Sequence, residues 1–240
     1  MELRAADDDY APNRWLAFAV LSDRAETLRP FLFDRAAAIR QECQRLLRGK
    51  FGTDPAETYR RTLDKEIAIL GLGETGTTSD VAAVLPYLRS RRTRVRRAAV
   101  QAIFRLHGEA HRETFLRVIA TDTPAVSGQA AMALLAERDL LVTLIWSAVK
   151  ANPNANTRWS VLRLLREKWK WSLLAVYCDA AFDDDVRIRE LAVNLLGRWA
   201  RHFERSFLQP TVAERDELAA LRTSGRVPPG WEDVIDRALG

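Results

Sequence analysis

Cysteine, histidine and methionine are scarce in this sequence of 240 residues, which has two Cys, three His and two Met. Cys43 and Cys178 lie far apart, inside apolar-periodic segments, and form no CxxC pair. Neither a disulfide framework nor a zinc site is therefore indicated. We expect both cysteines to be small buried residues of a protein in a reducing cytosol.

Long hydrophobic runs are also missing from the sequence. No stretch approaches the roughly 18 consecutive apolar residues of a membrane span. The segment from Met1 to Tyr10 is acidic, whereas a signal peptide begins with a basic region and continues with an apolar one. The sequence therefore predicts a soluble, cytoplasmic protein that has no membrane partner.

Glycine and proline are few, at eleven and nine residues, whereas Ala, Leu, Arg and Glu dominate. These four residues lose little free energy on entering a helix, so the composition predicts an all-α protein. The net charge of +5 at pH 7 is a modest excess. It is compatible with nucleic acid or an acidic protein as partner and requires neither.

A repeat of 31 residues is the main pattern in the sequence. Copies spaced by 31 residues each time begin at Asp64, Val95, Val126, Thr157 and Ile188, and shorter units begin at Asn13 and Ile39. Within each copy, positions 0, 3, 4, 7 and 8 are mainly apolar or small, counting the first residue as 0. A helix of 3.6 residues per turn buries such a stripe along one side, so each copy is predicted to be one amphipathic helix.

Position 4 of the repeat is small in every copy, as expected where a neighbouring helix passes closely. This small-residue column consists of Ala17, Cys43, Ala68, Ala99, Ala130, Val161 and Ala192. Further helical segments are predicted between the copies, at Glu26 to Phe33, Asp80 to Arg89, Arg112 to Ala120, Leu140 to Lys150 and Ser172 to Ala181. Each unit is thus predicted to be a helical hairpin.

The connections between the helices carry turn residues. Proline recurs before the aligned helices, at Pro30 and Pro86, and Pro210 takes the corresponding place in a decayed eighth unit. Short polar residues that can cap free backbone N–H groups precede the second helices, at Asp34, Asp122, Asn154 and Asp184.

The segment from Ser79 to Leu106, SDVAAVLPYLRSRRTRVRRAAVQAIFRL, resembles a HEAT-like repeat of the type named after phycobilisome lyases. The resemblance covers about four fifths of the chain. It implies an α-α superhelix, or solenoid, of about seven HEAT-like hairpins: one domain over residues 1–224, and a capping segment at residues 225–240. Such repeats occur in scaffolds, adaptors, lyases and hydroxylases, so the resemblance implies no single activity. The sequence departs from the pattern at Asn13, Ser127 and Thr157.

The position after each repeat start is basic in all units but one. This arginine column consists of Arg14, Arg40, Lys65, Arg96, Arg158 and Arg189, with Ser127 as the exception. In HEAT-like repeats such an arginine typically pairs with an Asp in the turn of a neighbouring unit, and Asp34, Asp122 and Asp184 are suitably placed. We therefore interpret the column as a structural ladder; the alternative is a ligand-binding row.

A basic patch precedes the fourth aligned helix and consists of Arg89, Arg91, Arg92 and Arg94, which Arg96 and Arg97 extend. If these side chains converge, they suit phosphates or an acidic protein surface. The alternative is a solvated turn, because neither an aromatic platform nor a nucleic-acid motif accompanies the patch.

Positions 2, 6 and 9 of the repeat should face solvent, opposite the apolar stripe. In units four to six they include large apolar and basic side chains: Arg97, Gln101, Phe104, Met132, Leu135, Trp159, Arg163 and Arg166. If these helices line the concave surface, as they do in the family that the sequence resembles, the residues form an apolar strip edged with arginines that suits a protein partner. The alternative is that Phe104 and Leu135 pack against the next unit.

No metal site or cofactor is predicted. The segment His107-Gly-Glu-Ala-His111 is not the HExxH zinc motif, and no third ligand is evident. The acids Asp183 to Asp185 match the usual negative charge before a helix. Gly71 to Gly76 resembles a glycine-rich phosphate loop only superficially, and we interpret it as a helix C-cap and turn.

Two enzyme classes that have HEAT-like folds carry recognisable residue patterns. HEAT-fold deoxyhypusine hydroxylases use adjacent His-Glu pairs, and this chain has none. Alkylpurine DNA glycosylases need a carboxylate beside aromatic residues, and Glu190 lies one unit from Trp159. The paired tryptophans followed by Asp are absent, and no Asp follows Trp169-Lys-Trp171. The leading hypothesis is a noncatalytic module that binds a protein or peptide; the alternative is a nucleic-acid-binding protein related to these glycosylases.

Overall fold

The computed structural model describes residues 10–137, 142–166, 171–203 and 209–240, and every regular element in these ranges is a helix. The predicted all-α class is therefore confirmed. None of the described helices is long and apolar enough to cross a membrane. The chain divides into two compact units, Met1–His111 and Arg112–Gly240, which we call unit 1 and unit 2.

Unit 1 contains helices α1 to α7, which are Ala11–Leu21, Ala25–Leu28, Ala37–Gly49, Pro55–Arg60, Glu66–Thr75, Val81–Val84 and Thr93–His107. Helix α5 packs against α4 and α7, and the 3₁₀ segment Arg29–Phe33 packs against α3 and α5. The short helix α4 was not predicted. It begins with Asp54, whose side chain accepts the backbone N–H of Ala56, followed by Pro55 in the first turn.

Proline changes the geometry of two predicted helices in unit 1. Helix α2 ends at Leu28 and continues as the 3₁₀ segment Arg29–Phe33, and α6 continues in the same way as Leu85–Arg89. Pro30 and Pro86 lie at the start of these 3₁₀ segments. Proline lacks a backbone N–H and its ring clashes with the carbonyl four residues before it, so the chain cannot continue as a regular α-helix.

Unit 2 contains helices α8 to α15, which are Arg112–Thr121, Pro124–Leu135, Val142–Lys150, Ala155–Leu165, Ser172–Ala180, Val186–Phe203, Val212–Thr223 and Glu232–Leu239. Consecutive helices pair with each other: α8 packs against α9, α10 against α11, α12 against α13 and α14 against α15. The first helices contact one another in succession, and α11 contacts both α9 and α13. The helices of unit 2 therefore form two rows of successive contacts, one of α8, α10, α12 and α14 and the other of α9, α11 and α13. Leu140, the predicted start of α10, lies outside the described residues.

The small-residue column lies in the core of both units. Ala17 is half-buried, and the six residues from Cys43 to Ala192 are fully buried. Close helix approach also explains two glycines that we had interpreted as part of a turn. Helix α5 ends at Thr75 with Gly76 as its C-cap, as predicted, whereas Gly71 and Gly73 lie within the helix and not in a turn. A Cβ atom at Gly73 would lie 2.5 Å from the Cα of Ala102 in α7.

The turns that precede α3, α7, α11 and α13 share one hydrogen-bond pattern. Their first side chain accepts the backbone N–H two residues later; the four side chains are Asp34, Ser90, Asn152 and Asp183. An arginine six residues further on donates to the backbone carbonyl of the same residue; the four arginines are Arg40, Arg96, Arg158 and Arg189. These members of the arginine column thus hold the turns that precede their own helices.

Carboxylates complete part of this ladder. Arg14 donates to Asp34 over 2.7 Å, and Arg158 forms a bidentate pair with Asp183 at 2.9 Å. Asp183, and not the predicted Asp184, is the partner here, because Asp183 begins the turn. Ser127 fills the position of an arginine in another way: its hydroxyl donates to the carbonyl of Asp122.

Glu74 in α5 is the centre of a buried polar network in unit 1. Its carboxylate accepts two hydrogen bonds from Arg40, at 2.8 and 2.6 Å, and one from Gln44 at 2.8 Å. Arg105 of α7 donates to it over 3.1 Å. Burial alone would raise the pKa of Glu74, but the hydrogen bonds from Arg40 and Gln44 and the positive charges of Arg40 and Arg105 together outweigh burial and lower it. The network therefore keeps a buried carboxylate ionised.

Candidate partner-binding surfaces

The predicted apolar strip in unit 2 begins on α9. This helix, PAVSGQAAMALL, has no charged residue, and its Met132 side chain is 55% exposed. Leu135, three residues later, is half-buried. An exposed apolar side chain offers contact area to a partner, and methionine adapts readily to the shape of a partner surface.

Trp159 and Arg163 form a stacked pair on α11, which packs against α9. The guanidinium carbon of Arg163 lies 4.6 Å from the centre of the Trp159 ring. Trp159 is half-buried, so it is less accessible than its position in the repeat predicted, whereas Arg163 is exposed. Stacking restricts the arginine side chain and leaves the N–H groups at the edge of the guanidinium able to donate to an anion.

Arg166, at the C-terminal end of α11, lines a small open pocket within unit 2. The other lining residues come from α12 and α13; they are Leu173, Tyr177, Leu195, Arg198 and Trp199. The four apolar and aromatic residues are buried, while Arg198 is exposed and Arg166 half-buried. The pocket thus combines an apolar floor with two cationic groups. Arg198 was missed from the sequence because it lies outside positions 2, 6 and 9 of the repeat.

The other predicted residues of the strip, Arg97, Gln101 and Phe104, lie on α7 of unit 1. Arg97 is exposed, while Gln101 and Phe104 are half-buried. The ring of Phe104 lies over Gly108, where a Cβ atom would come within 2.6 Å of it. Phe104 therefore packs against the C-terminal end of its own helix.

The predicted basic patch also lies in unit 1. Arg89 ends the 3₁₀ segment Leu85–Arg89, Arg91 and Arg92 lie in the turn, and Arg94 lies in the first turn of α7. All four side chains are exposed. The turn itself is held by the side chains of Ser90 and Arg96, to which Arg91 and Arg92 contribute only backbone groups, so the four exposed guanidinium groups take no part in its hydrogen bonds.

A further exposed apolar face, which the sequence analysis missed, lies on α1. Trp15, Leu16 and Val20 are 40%, 68% and 70% exposed. The rings of Trp15 and Phe18 form a T-shaped pair, with their centres 5.7 Å apart. The repeat register assigns Leu16 to the buried stripe, so the sequence predicted a buried side chain at this position.

The predicted metal and nucleophile candidates were located in the described parts of the chain. No three His, Cys, Asp or Glu side chains among those residues are placed to hold a metal ion, and the rings of His107 and His111 are 6.3 Å apart. Burial raises the pKa of Cys43 and of Cys178 to about 12, so neither is a ready nucleophile. Glu190 is exposed near the start of α13. Trp169 lies outside the described residues.

Two of the acids before α13 form ion pairs and hydrogen bonds that hold the turn. Asp183 pairs with Arg158, and Asp185 accepts the backbone N–H of Arg187 and pairs with its guanidinium. The hydrogen bond from the Arg187 side chain lowers the pKa of Asp185 to about 2.

Neither a comparison of the chain with protein-family models nor one with curated protein sequences finds a match.

Proposed function

We propose that this chain is a noncatalytic, cytoplasmic binding module of HEAT-like repeats, arranged as a solenoid, that recognises a protein or peptide. The proposal depends on one observation: Met132 and the stacked pair of Trp159 and Arg163 lie on α9 and α11, two helices in contact. The pairing of consecutive helices and their two rows of successive contacts support the repeat assignment.

The chemistry of these side chains indicates the kind of partner. An exposed methionine and a half-buried tryptophan offer apolar contact area, and they belong to the residue types that are enriched at protein interfaces. Arg163 adds a charged donor that is already held in place. We therefore expect a partner segment that places an apolar side chain against α9 and α11 and a carboxylate near Arg163.

The test compares Trp159→Ala with Trp15→Ala in a quantitative pull-down from the source cells. We expect Trp159→Ala to weaken partner binding by about 2 kcal/mol or more, because truncated aromatic anchors at interfaces commonly have this effect. Trp15→Ala removes the same atoms from a tryptophan of unit 1 that is 40% exposed, and should leave binding unchanged. The amount of bound partner is measured for each variant.

The melting temperature of the same preparations separates binding from packing. If Trp159 serves only the core of unit 2, its replacement lowers the melting temperature by several degrees, and partner capture falls only in proportion to the unfolded protein. A destabilised variant that retains full specific binding would contradict the proposed surface.

A further inference from the structure

Arginines surround the N-terminal end of α7 in unit 1. Within residues 89–97 the exposed side chains are Arg89, Arg91, Arg92, Arg94 and Arg97. No carboxylate among the described residues lies within ion-pair distance of these five. The first turn of α7 contains no acidic residue, and its N-cap, Arg92, makes no side-chain capping bond.

This arrangement is electrostatically unfavourable. The N-terminal end of a helix carries a partial positive charge, which favours anions and disfavours cations. Helix α7 has 15 residues and therefore several aligned peptide dipoles. The positive charges of the surrounding arginines add to this potential, and they also repel one another.

The turn before α13 in unit 2 provides an internal comparison. Asp183 and Arg189 make the same turn bonds as Ser90 and Arg96: each first side chain accepts the backbone N–H two residues later, and each arginine donates to two turn carbonyls. At the positions of Arg91 and Arg92, the turn before α13 has Asp184 and Asp185.

The same backbone turn therefore forms with acids in one unit and with arginines in the other. The side chain of Asp185 caps its helix by accepting the backbone N–H of Arg187, whereas Arg92 has no acceptor to offer. The fold of the turn thus does not require arginine at positions 91 and 92. A local arrangement that destabilises a helix end, and that the fold does not require, is typical of functional sites.

We propose that this turn binds the phosphate backbone of a nucleic acid. The planar guanidinium groups match phosphate oxygens, and the N-terminal end of α7 adds to the attraction for anions. The centre of a protein interface is apolar, but every exposed side chain within residues 89–97 is an arginine. The site is therefore electrostatic and independent of base sequence, and it uses none of the residues of the peptide surface on α9 and α11.

The decisive variant copies the turn of unit 2 into unit 1, as Arg91→Asp/Arg92→Asp. Binding of a fluorescent DNA duplex is measured by anisotropy over a range of salt concentrations. With about four phosphates contacted, the wild-type slope of log K against log [salt] should be about −3 to −4, and the variant should lose about 2 of this. At about 50 mM salt we expect the affinity of the variant to fall by at least 10-fold.

The same variant should be more stable than the wild type although it binds DNA more weakly. Aspartate at position 92 provides the cap that α7 lacks, so the melting temperature should rise by about 2 to 4 °C. A matched control, Arg117→Asp/Arg215→Asp, makes the same charge change at exposed arginines of α8 and α14. The control should keep the wild-type affinity for the duplex, and so should Trp159→Ala.

Three results would overturn the proposal. The first is an unchanged duplex affinity in Arg91→Asp/Arg92→Asp. The second is an equal loss in the control, which would indicate that only net charge matters. The third is binding of poly-glutamate with the same affinity as duplex of equal charge, which would assign the turn to acidic proteins.

Discussion

Replacing Glu74 with alanine should lower the free energy of unfolding by about 3 to 5 kcal/mol, because the change leaves the buried Arg40 without its counter-ion. The side chains of Glu74 and Arg40 are only 6% and 5% exposed, so water cannot replace the lost carboxylate. Gln44 also loses an acceptor. Chemical denaturation followed by circular dichroism measures the effect.

The control for this prediction is Glu42→Ala, which removes an ion pair from the surface of α3. Glu42 pairs with Arg45 at 2.6 Å, but the two side chains are 33% and 66% exposed. Exposed pairs contribute about 0 to 1 kcal/mol, so the control should be nearly neutral. Equal effects of the two substitutions, both below about 1 kcal/mol, would show that the Glu74 network is not a buried ionic centre.

The pH dependence of stability gives an independent check on Glu74. The folded state lowers the pKa of this carboxyl from its ordinary value of 4.5. Its contribution is therefore complete above about pH 4.5 and is lost as the pH falls through the lowered value. The difference in stability between wild type and Glu74→Gln should accordingly shrink in acid.

Replacing Gly73 with leucine should destabilise the chain by about 3 kcal/mol, the upper part of the usual range for overpacking. The new Cβ atom would lie 2.5 Å from the Cα of Ala102, and backbone in the neighbouring helix cannot move aside as a flexible side chain does. Helices α5 and α7 would have to separate, which opens contacts along both helices. Thermal and chemical unfolding measure the change.

Gly49→Leu is the matched control for Gly73→Leu. Gly49 ends α3, and a Cβ atom there would meet nothing within 4 Å. The control adds the same side chain where it has open space, and leucine favours helix more than glycine does, so it should be neutral or slightly stabilising. If Gly73→Leu is as stable as Gly49→Leu, α5 and α7 do not approach as closely as the structure describes.

The aligned helices could be predicted from the sequence because their burial follows local periodicity. The residues from Cys43 to Ala192 in the small-residue column are fully buried, as a strict spacing of apolar and small side chains indicates. The arginine ladder was also predicted in outline. Its partners depend on which turn residue points inward, so Asp183 replaced the expected Asp184 as the partner of Arg158.

Other features depend on contacts between segments that are distant in sequence. The partner of Arg40 is Glu74, which is 34 residues away and belongs to no repeating position that the sequence singled out. Helix α4 lay within reach of prediction, since Asp54 followed by Pro55 is a helix-start signal. The pocket beside Arg166 was beyond prediction, because its lining comes from three helices.

Footprinting with hydroxyl radicals tests the proposed peptide surface most directly. Met132 is one of only two methionines, and its side chain is 55% exposed, so its oxidation to the sulfoxide can be read by mass spectrometry without ambiguity. In the free chain we expect rapid oxidation of Met132 and slower oxidation of the half-buried Trp159. Saturation with the captured partner should protect both residues and leave Trp15 of α1 as reactive as before. Unchanged oxidation of Met132 and Trp159 at full occupancy would contradict the proposal that α9 and α11 bind the partner.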